Sequence, residues 1–394
     1  MYLMVDVIVN HFVTPGPASM TKFSDFHPFN DRSFFHPFCD ITDYEDQDIV
    51  ERCWLGDSKV RLADVNTEDP RVISIYNSWI TSLVSNYSVD GLRIDTVKHV
   101  PKSFFPAFTK AAGVFATGEI LSGNFEYVCD YQNYLDSVIN YPIYYPLTRA
   151  FLSDNGSISE LVEMHQTLQR GCQDATLMLT MSGNHDTFRL AALIPSLLLR
   201  ENVLSYALLA DGIPVLYQGD EQNFAGHPDP DNREALWKSG YDNSAPLYQL
   251  ARKLNKLRSW AGRNDTNYWT SRTTICWSDS HTMALRRGSG ATQIVAILTN
   301  AGGNSTLAKV TVEGSGFVAG TVLMDIVACQ EVAVGKDGAL QVTLTDGHPK
   351  VLFAIEQLAR SGICDPWINR TSTPKYPKLS LDQGTLGTLL DQPS

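Results

Sequence analysis

The sequence predicts an α/β barrel over its first 267 residues, followed by a separate antiparallel β-sandwich. Short apolar runs alternate with helix-like segments up to about residue 260, which is typical of a parallel sheet covered by helices. Several of these runs end in polar or charged residues, and a barrel gathers the carboxyl ends of its strands on one face. From about Tyr268 the pattern changes to alternating strands separated by glycine turns, which favours a sandwich.

Six apolar runs are predicted as barrel strands, at 2–10, 91–95, 114–120, 136–141, 176–182 and 213–219. Helices are expected between them, at 70–86, 101–111, 144–152, 157–170 and 196–211. Pro70 and Pro101 support two of these helices, because proline is favoured in the first helical turn. The segment 12–66 interrupts the alternation, is rich in Phe, Pro, Asp and His, and shows no helical period. A loop of this length in a compact domain is usually functional.

Composition and charge restrict the class of protein. The 394 residues carry a net charge of −12, with 43% hydrophobic and 19% charged residues, which is ordinary for a soluble globular protein. The negative charge argues against binding to nucleic acid or to anionic membranes, since both require a basic surface. No apolar run is long enough for a transmembrane helix, and the N-terminus "MYLMVDVIVNHF" lacks the basic region and cleavage site of a signal peptide.

The cysteines indicate the compartment. None of the seven forms a C-x-x-C pair, which argues against zinc and thioredoxin-type motifs. Glycosylation sequons begin at Asn86, Asn155, Asn264, Asn304 and Asn369. Cysteines and sequons together favour an oxidising, secretory route.

Carboxylates follow three of the predicted strands. Asp95 and Glu119 end two consecutive strands and Asp186 ends a third, so the three should meet at one mouth of the barrel. Glycoside hydrolysis needs one ionised carboxylate to attack the sugar and one protonated carboxyl to protonate the leaving oxygen. Arg93 shares a strand face with Asp95 and favours its charged form, with Asp6 as a structural partner of Arg93. Crowding by the other two carboxylates should raise the proton affinity of Glu119, which makes it the acid.

Four motifs resemble, in order and spacing, the signature regions of the α-amylase family, and most closely those of its secreted fungal members. They are "DVIVNH" (6–11), "GLRIDTVKH" (91–99), "GEIL" (118–121) and "GNHD" (183–186), and the likeness extends from residue 1 to about Cys364. The resemblance implies endo-acting hydrolysis of α-1,4-glucosidic bonds in starch- and glycogen-type glucans by a retaining double displacement. It implies that Asp95 is the nucleophile, Glu119 the general acid/base, and Asp186 the carboxylate that distorts the sugar and stabilises the transition state.

The same resemblance implies further sites. Substrate contacts are expected at His11, Arg93, Lys98, His99, Gly123, His185, Asp229 and Arg233. A structural Ca²⁺ is expected on Asn10, Glu51, Asp64 and the backbone carbonyl of His99, since oxygen ligands suit a hard cation. Disulfides are expected at Cys39–Cys53, Cys129–Cys172 and Cys329–Cys364, leaving Cys276 free. The partner is an α-glucan, with no nucleic acid and no membrane, and the full-length protein is expected to be a secreted monomer.

Domain boundaries also follow from the resemblance. They are a third barrel strand at 1–11, an inserted calcium-binding domain at 12–66, the rest of the barrel at 67–267, a C-terminal β-sandwich at 268–364 and a disordered tail at 365–394. The family barrel has eight strands, so the resemblance implies a (β/α)8 TIM barrel truncated at its N-terminus, with six strands present and the chain as printed unstable and inactive. The alternatives are a related α-glucosidase or glucan transglycosylase, a non-catalytic carbohydrate-binding relative, or an inactive fragment. Retention of all three carboxylates argues against the binding relative.

Overall fold

The structure is a computed structural model that describes residues 1–302, 308–344 and 346–365. Residues 366–394 of the predicted tail and the sequons at Asn304 and Asn369 lie outside the described residues. Within the described ranges, no helix combines the length and apolar character needed to cross a membrane.

The first part of the chain alternates strands and helices, as predicted. Its strands are β1 (Met4–Val7), β2 (His11–Pro15), β3 (Leu55–Gly56), β4 (Val60–Asp64), β5 (Gly91–Ile94), β6 (Phe115–Gly118), β7 (Ser137–Val138), β8 (Leu179–Met181) and β9 (Ile213–Val215). Its helices are α1 (Gln47–Arg52), α2 (Pro70–Tyr87), α3 (Phe105–Ala112), α4 (Phe125–Asp130), α5 (Tyr141–Phe151), α6 (Ser159–Gly171), α7 (Leu190–Leu193), α8 (Leu197–Leu209) and α9 (Pro246–Asn264). Every predicted strand region contains a strand, although each strand is shorter than its apolar run.

The barrel sheet is parallel throughout. Its order is β1-β5-β6-β7, and a bridge between Ile139 and Leu179 leads to the pair β8-β9. Parallel pairing places the carboxyl ends of β1, β5 and β6 side by side, with Asp6 opposite Arg93 and Arg93 opposite Thr117. Among the described residues β1 pairs with β5 alone and β9 with β8 alone, so β1 and β9 each have one unpaired edge.

Local sequence explains where the predicted helices begin. The N-cap Asp69 accepts a hydrogen bond from the backbone N–H of Arg71, and Pro70 occupies the first turn of α2, as expected. The helix predicted at 101–111 is partly wrong, because Pro101 precedes a 3₁₀ turn (Lys102–Phe104) and α3 begins only at Phe105. Left-handed Gly113 then ends α3, a conformation that glycine adopts without a Cβ clash.

The segment 12–66, predicted as an insert without a helical period, has regular secondary structure of its own. It contains the antiparallel sheet β2-β4-β3 and helix α1, whose six residues are too few to show a helical period in the sequence. Phenylalanine rings form its core, with Phe12 within 5.2–6.1 Å of Phe26, Phe29 and Phe35 between ring centroids. Pairing of His11 with Asp64 connects this core to the end of β1.

The C-terminal part is an antiparallel β domain, as predicted. It contains β10 (Thr274–Ser278), β11 (Thr282–Arg287), β12 (Ile294–Thr299), β13 (Ala308–Val312), β14 (Val322–Asp325), β15 (Gln330–Ala333), β16 (Leu340–Leu344) and β17 (Lys350–Ala354). Six strands form one sheet in the order β10-β11-β12-β17-β14-β15, and β13 pairs with β16 in a second sheet. Val295, Val312, Leu340 and Leu352 belong to the apolar cluster of this domain.

Buried polar side chains connect the barrel to the β domain. Asn202 on α8 donates to the carbonyl of Gly347 and accepts from the N–H of Thr299. The guanidinium of Arg287 donates to three backbone carbonyls, at Ala210, Tyr268 and Trp269. The amide of Asn300 donates to the carbonyls of Ala150 and Gly156, at 2.7 Å each. We call Asn202, Arg287 and Asn300 the interdomain seam.

The three disulfides implied by the resemblance are present. They join Cys39 to Cys53, Cys129 to Cys172 and Cys329 to Cys364. Cys276 on β10 is free and half-buried, and burial raises the pKa of its thiol.

Candidate active site

Arg93 lies at the centre of the carboxylates that the sequence singled out. Its Nη1 is 2.9 Å from Asp6 and 2.5 Å from Asp95, and its Nη2 is 3.0 Å from Glu119 and 4.0 Å from Asp186. The barrel ladder sets this arrangement, because the backbone N–H of Asp95 bonds to β1 and that of Glu119 bonds to β5. The structure therefore brings the three predicted catalytic carboxylates together around one cation.

Glu119 is the most enclosed of the three. It is 6% exposed, and its Oε2 accepts a hydrogen bond from the backbone N–H of Thr96. Burial raises the pKa of the Glu119 carboxyl; Arg93 opposes this shift, whereas Asp95 and the more distant Asp186 add to it. A carboxyl with this environment stays protonated to higher pH than an exposed glutamate, as a general acid requires.

A tyrosine that the sequence did not single out connects two of the motifs. The hydroxyl of Tyr141 donates to Oε1 of Glu119 at 3.1 Å and accepts from the amide of Asn184 at 2.7 Å. Oδ1 of Asn184 in turn accepts from the N–H of Asp186. Since Asn184 donates to the tyrosine oxygen, the proton of that hydroxyl points to Glu119.

Asp186 lies in the loop after β8. Its carboxylate is 3.2 Å from Nε2 of His185 and 3.2 Å from Nη2 of Arg233. Arg233 also pairs with Asp229 at 3.0 Å. Arg233, a predicted substrate residue far from the motif in sequence, thus contacts this carboxylate directly, and Asp229 contacts Arg233.

These groups open into a cleft of about 990 Å³. The predicted site residues that line it are His11, Asp95, Lys98, His99, Glu119, Asp186, Asp229 and Arg233. Arg93 and His185 are not among the lining residues but pair with Glu119 and Asp186, which are. Gly123 is exposed beside the ring of Tyr145 and does not line this cleft. The segment 12–66 supplies one wall, with Tyr44, Leu55, Val60 and Leu62.

Two cleft groups carry environments that the sequence could not indicate. The ammonium of Lys98 lies 4.8 Å from the ring centre of Tyr44 and donates to the carbonyl of Leu121. Burial lowers the pKa of Lys98, and burial lowers the pKa of His99 to about 4, so His99 is neutral at physiological pH.

The residues expected to hold Ca²⁺ are partly assembled. The inward end of the Asn10 amide is 2.9 Å from the carbonyl oxygen of His99 and 3.1 Å from Oδ1 of Asp64. With its oxygen at that end, three oxygens converge and fit a hard cation; with its nitrogen there, the amide donates to both neighbours. Burial raises the pKa of Asp64 to about 7, and His36 contacts its other oxygen at 2.7 Å. Glu51, the fourth predicted ligand, hydrogen-bonds to Gln47, whose amide also donates to the carbonyl of Lys98.

The expected Ca²⁺ site does not consist of ionisable side chains alone. The parts of the chain that the structure describes contain no cluster of three or more His, Cys, Asp or Glu side chains suited to hold a metal ion. The set above instead depends on one asparagine and one backbone carbonyl, oxygen donors that suit a hard cation such as calcium.

Comparison with known families agrees with this geometry. The model of the alpha amylase catalytic domain matches residues 1–285, and that of alpha-amylase domain C matches residues 275–372. The chain belongs to the alpha-amylase family. It is therefore a glycoside hydrolase of family 13, and the resemblance inferred from four motifs is confirmed.

Individual members of the alpha-amylase family match most of the chain. Alpha-amylase 1 of Schwanniomyces occidentalis is 42% identical over 365 residues, covering 93% of this chain and 71% of the relative. The alpha-amylase of Saccharomycopsis fibuligera is 42% identical over 351 residues, covering 89% and 70%. A solved alpha-amylase structure from Malbranchea cinnamomea has a TM-score of 0.90 and 46% identity, covering 92% and 76%. The barrel with a C-terminal β domain is thus the family fold.

Proposed function

We propose that this alpha-amylase family member hydrolyses internal α-1,4-glucosidic bonds of starch- and glycogen-type glucans with retention of anomeric configuration. The observation that carries the proposal is the group of Asp95, Glu119 and Asp186 around Arg93, at the base of a cleft large enough for several sugar units. The names of the relatives, which are alpha-amylases, support the substrate class.

Each carboxylate has a distinct part in the proposed reaction. A carboxylate oxygen of Asp95 attacks the anomeric carbon while the bond to the glycosidic oxygen breaks, and Glu119 gives its proton to that leaving oxygen. Ionised Glu119 then takes a proton from water, whose oxygen attacks the same carbon and releases Asp95. Two inversions give net retention. Asp186, held by His185 and Arg233, stabilises the positive charge that develops on the sugar ring.

The remaining predicted substrate residues have positional roles in this proposal. His11, Lys98 and His99 line the cleft beside Asp95, and Asp229 and Arg233 line it beside Asp186. His11 and His99 donate or accept hydrogen bonds as neutral rings, since burial lowers the pKa of both. For Gly123, the structure supplies no contact that supports a substrate role.

We also propose a structural Ca²⁺ on Asn10, Asp64 and the His99 carbonyl, with Glu51 as the fourth ligand. Bound there, the ion would supply no chemistry to the reaction; it would neutralise buried Asp64 and connect the 12–66 segment to the barrel. The three disulfides support a secreted location for the protein, because such bonds persist in oxidising compartments.

The proposed reaction is tested with Asp95→Asn and a matched control. Asp95→Asn should remove nearly all turnover while leaving binding of a malto-oligosaccharide largely intact, because the variant keeps the shape of the side chain but not its nucleophilicity. Asp6→Asn is the control, since Asp6 also pairs with Arg93 but is half exposed and outside the cleft. It should lose far less activity than Asp95→Asn.

Product analysis then separates the proposal from an inverting mechanism and from an exo-acting α-glucosidase. Proton NMR of the first products should show the α-anomer. A retaining mechanism also requires the Asp95 and Glu119 carboxyl groups to lie about 5–5.5 Å apart. A malto-oligosaccharide blocked at both ends should be cleaved, which an exo-acting α-glucosidase cannot do. A β-anomeric first product, or equal activity of both variants, would refute the proposal.

A further inference from the structure

Asn232 contacts the loop that carries Asp186 in a way that neither the motifs nor the carboxylates explain. It is 1% exposed, and its side-chain nitrogen donates to the carbonyl oxygen of His185 at 2.9 Å and to that of Thr187 at 2.8 Å. These are the residues immediately before and after Asp186. We propose that Asn232 is a positioning residue that fixes the reach of the Asp186 carboxylate into the cleft, an inference that rests on the function proposed above.

The chemistry of this contact is specific for an amide. Both partners are acceptors, so the nitrogen end of the Asn232 side chain must face them, and one nitrogen with two N–H bonds is needed to reach both. The side-chain oxygen is buried and has no hydrogen-bond partner among the described residues. A buried polar atom without a partner destabilises a protein, so this contact with the loop has a cost in stability.

The segment that presents Asn232 is itself held firmly. The backbone carbonyl of Asn232 accepts from the hydroxyl of Tyr217, and the guanidinium of Arg189 lies 4.0 Å from the centre of that ring. Arg189 is 1% exposed and pairs with Asp220 at 3.1 Å and with Glu234 at 3.0 Å. Arg189 belongs to the chain just after Asp186 and Glu234 to the chain just after Asn232, so their ion pair joins the two segments a second time, next to the contact.

The contacts of the neighbouring Arg233 show why the position of the Asp186 loop matters. Its Nη2 lies 3.2 Å from Oδ1 of Asp186, and its Nε donates to the carbonyl of His185. Asn232 holds the backbone of the loop, and Arg233 contacts its carboxylate, so a displaced backbone would separate the two charges. Misplacement of a reacting group by about 1 Å can reduce rate about a hundredfold.

The test uses Asn232→Asp, which conserves size but places an oxygen against two carbonyl oxygens. We expect kcat to fall ten- to a hundredfold with a smaller change in KM. Asn300→Asp is the matched control, because Asn300 is also buried and bridges two carbonyls, at Ala150 and Gly156, but lies on the interdomain seam. Both variants should lose stability, whereas only Asn232→Asp should lose kcat per folded molecule. Asn232→Ser, which keeps a single donor, should lose less kcat and serves where Asn232→Asp fails to fold.

Two comparisons decide the outcome. In an Asp186→Asn background, Asn232→Asp should reduce kcat little further, since both act through one carboxylate; multiplicative losses would overturn the proposal. In crystal structures, Asn232→Asp should separate the Asp186 carboxylate from Arg233, and an unmoved carboxylate would equally overturn it. If Asp186→Asn alone keeps full kcat, the role given to Asp186 under the proposed function fails, and the crystallographic comparison still decides whether Asn232 positions it.

Discussion

Replacement of Tyr141 by phenylalanine should change the pH dependence of the enzyme. The Tyr141 hydroxyl donates to Oε1 of Glu119 at 3.1 Å, and Asn184 orients that hydroxyl by donating to it. A donor stabilises an ionised carboxylate more than a neutral carboxyl. Removing it therefore raises the pKa of Glu119 further, and the protonated acid persists to higher pH.

The size of the effect follows from the difference between two kinds of hydrogen bond. A hydrogen bond to a charged group contributes about 1.5–3 kcal/mol net, and one between neutral groups about 0.5–1.5 kcal/mol. The difference of about 1–1.5 kcal/mol corresponds to about one pH unit. The other groups that act on the Glu119 carboxylate stay the same in the variant; they are Arg93, the Thr96 N–H, Asp95, Asp186 and Lys98. The direction of the change in the pKa of Glu119 is therefore set by the loss of the tyrosine hydroxyl alone.

The assay is the pH profile of kcat/KM on a soluble α-glucan, which reports ionisation in the free enzyme. Its alkaline limb should move upward by about one pH unit in Tyr141→Phe. Tyr145→Phe is the control, since that ring lies beside Tyr141 with centroids 6.3 Å apart but its hydroxyl is not bonded to Glu119; its alkaline limb should stay in place. An unmoved or lowered limb in Tyr141→Phe would refute the assignment of Glu119 as the acid.

Further predictions concern stability. In calorimetry, a calcium chelator should lower the melting temperature and added Ca²⁺ should restore it. At a hundredfold excess over Kd, Ca²⁺ should raise the free energy of unfolding by about 2.7 kcal/mol, and Asn10→Ala should abolish this response. Arg287→Leu should reduce the free energy of unfolding in urea by about 3 kcal/mol, because three carbonyls lose their donor. An unchanged free energy of unfolding would contradict a stabilising role of the interdomain seam. Cys129 and Cys172 are 43 residues apart, and replacing both by serine should reduce the free energy of unfolding in urea by about 4 kcal/mol.

The sequence predicted the parts of this molecule that depend on regular patterns. The apolar runs identified the strands because a parallel sheet buried on both faces leaves continuous apolar segments. The carboxylates could be placed together because parallel strands deliver their carboxyl ends to one face, as Asp95 and Glu119 do. Asp186 was predicted at the end of a third strand, and it lies in the loop that follows β8.

What the sequence missed has physical reasons too. Tyr141 and Asn232 act through hydrogen bonds to residues 22 and 45–47 positions away, and no local pattern encodes such a partner. Helix α1 has six residues, fewer than two helical turns, so its period could not emerge in the 12–66 segment. Pro101 was consistent with a helix start, but the chain makes a 3₁₀ turn before α3.

The interdomain seam has a consequence for how the two parts of this chain can be recombined. Asn202, Arg287 and Asn300 are bonded to backbone atoms, so the seam depends on chain geometry on both sides and less on matching side chains. A β domain exchanged from a relative would have to bring an arginine at 287 and an asparagine at 300, or strand buried carbonyls of the barrel. Calorimetry of the intact chain should accordingly show one cooperative transition, and an exchanged β domain should be accepted only where it carries both the arginine and the asparagine that meet the barrel.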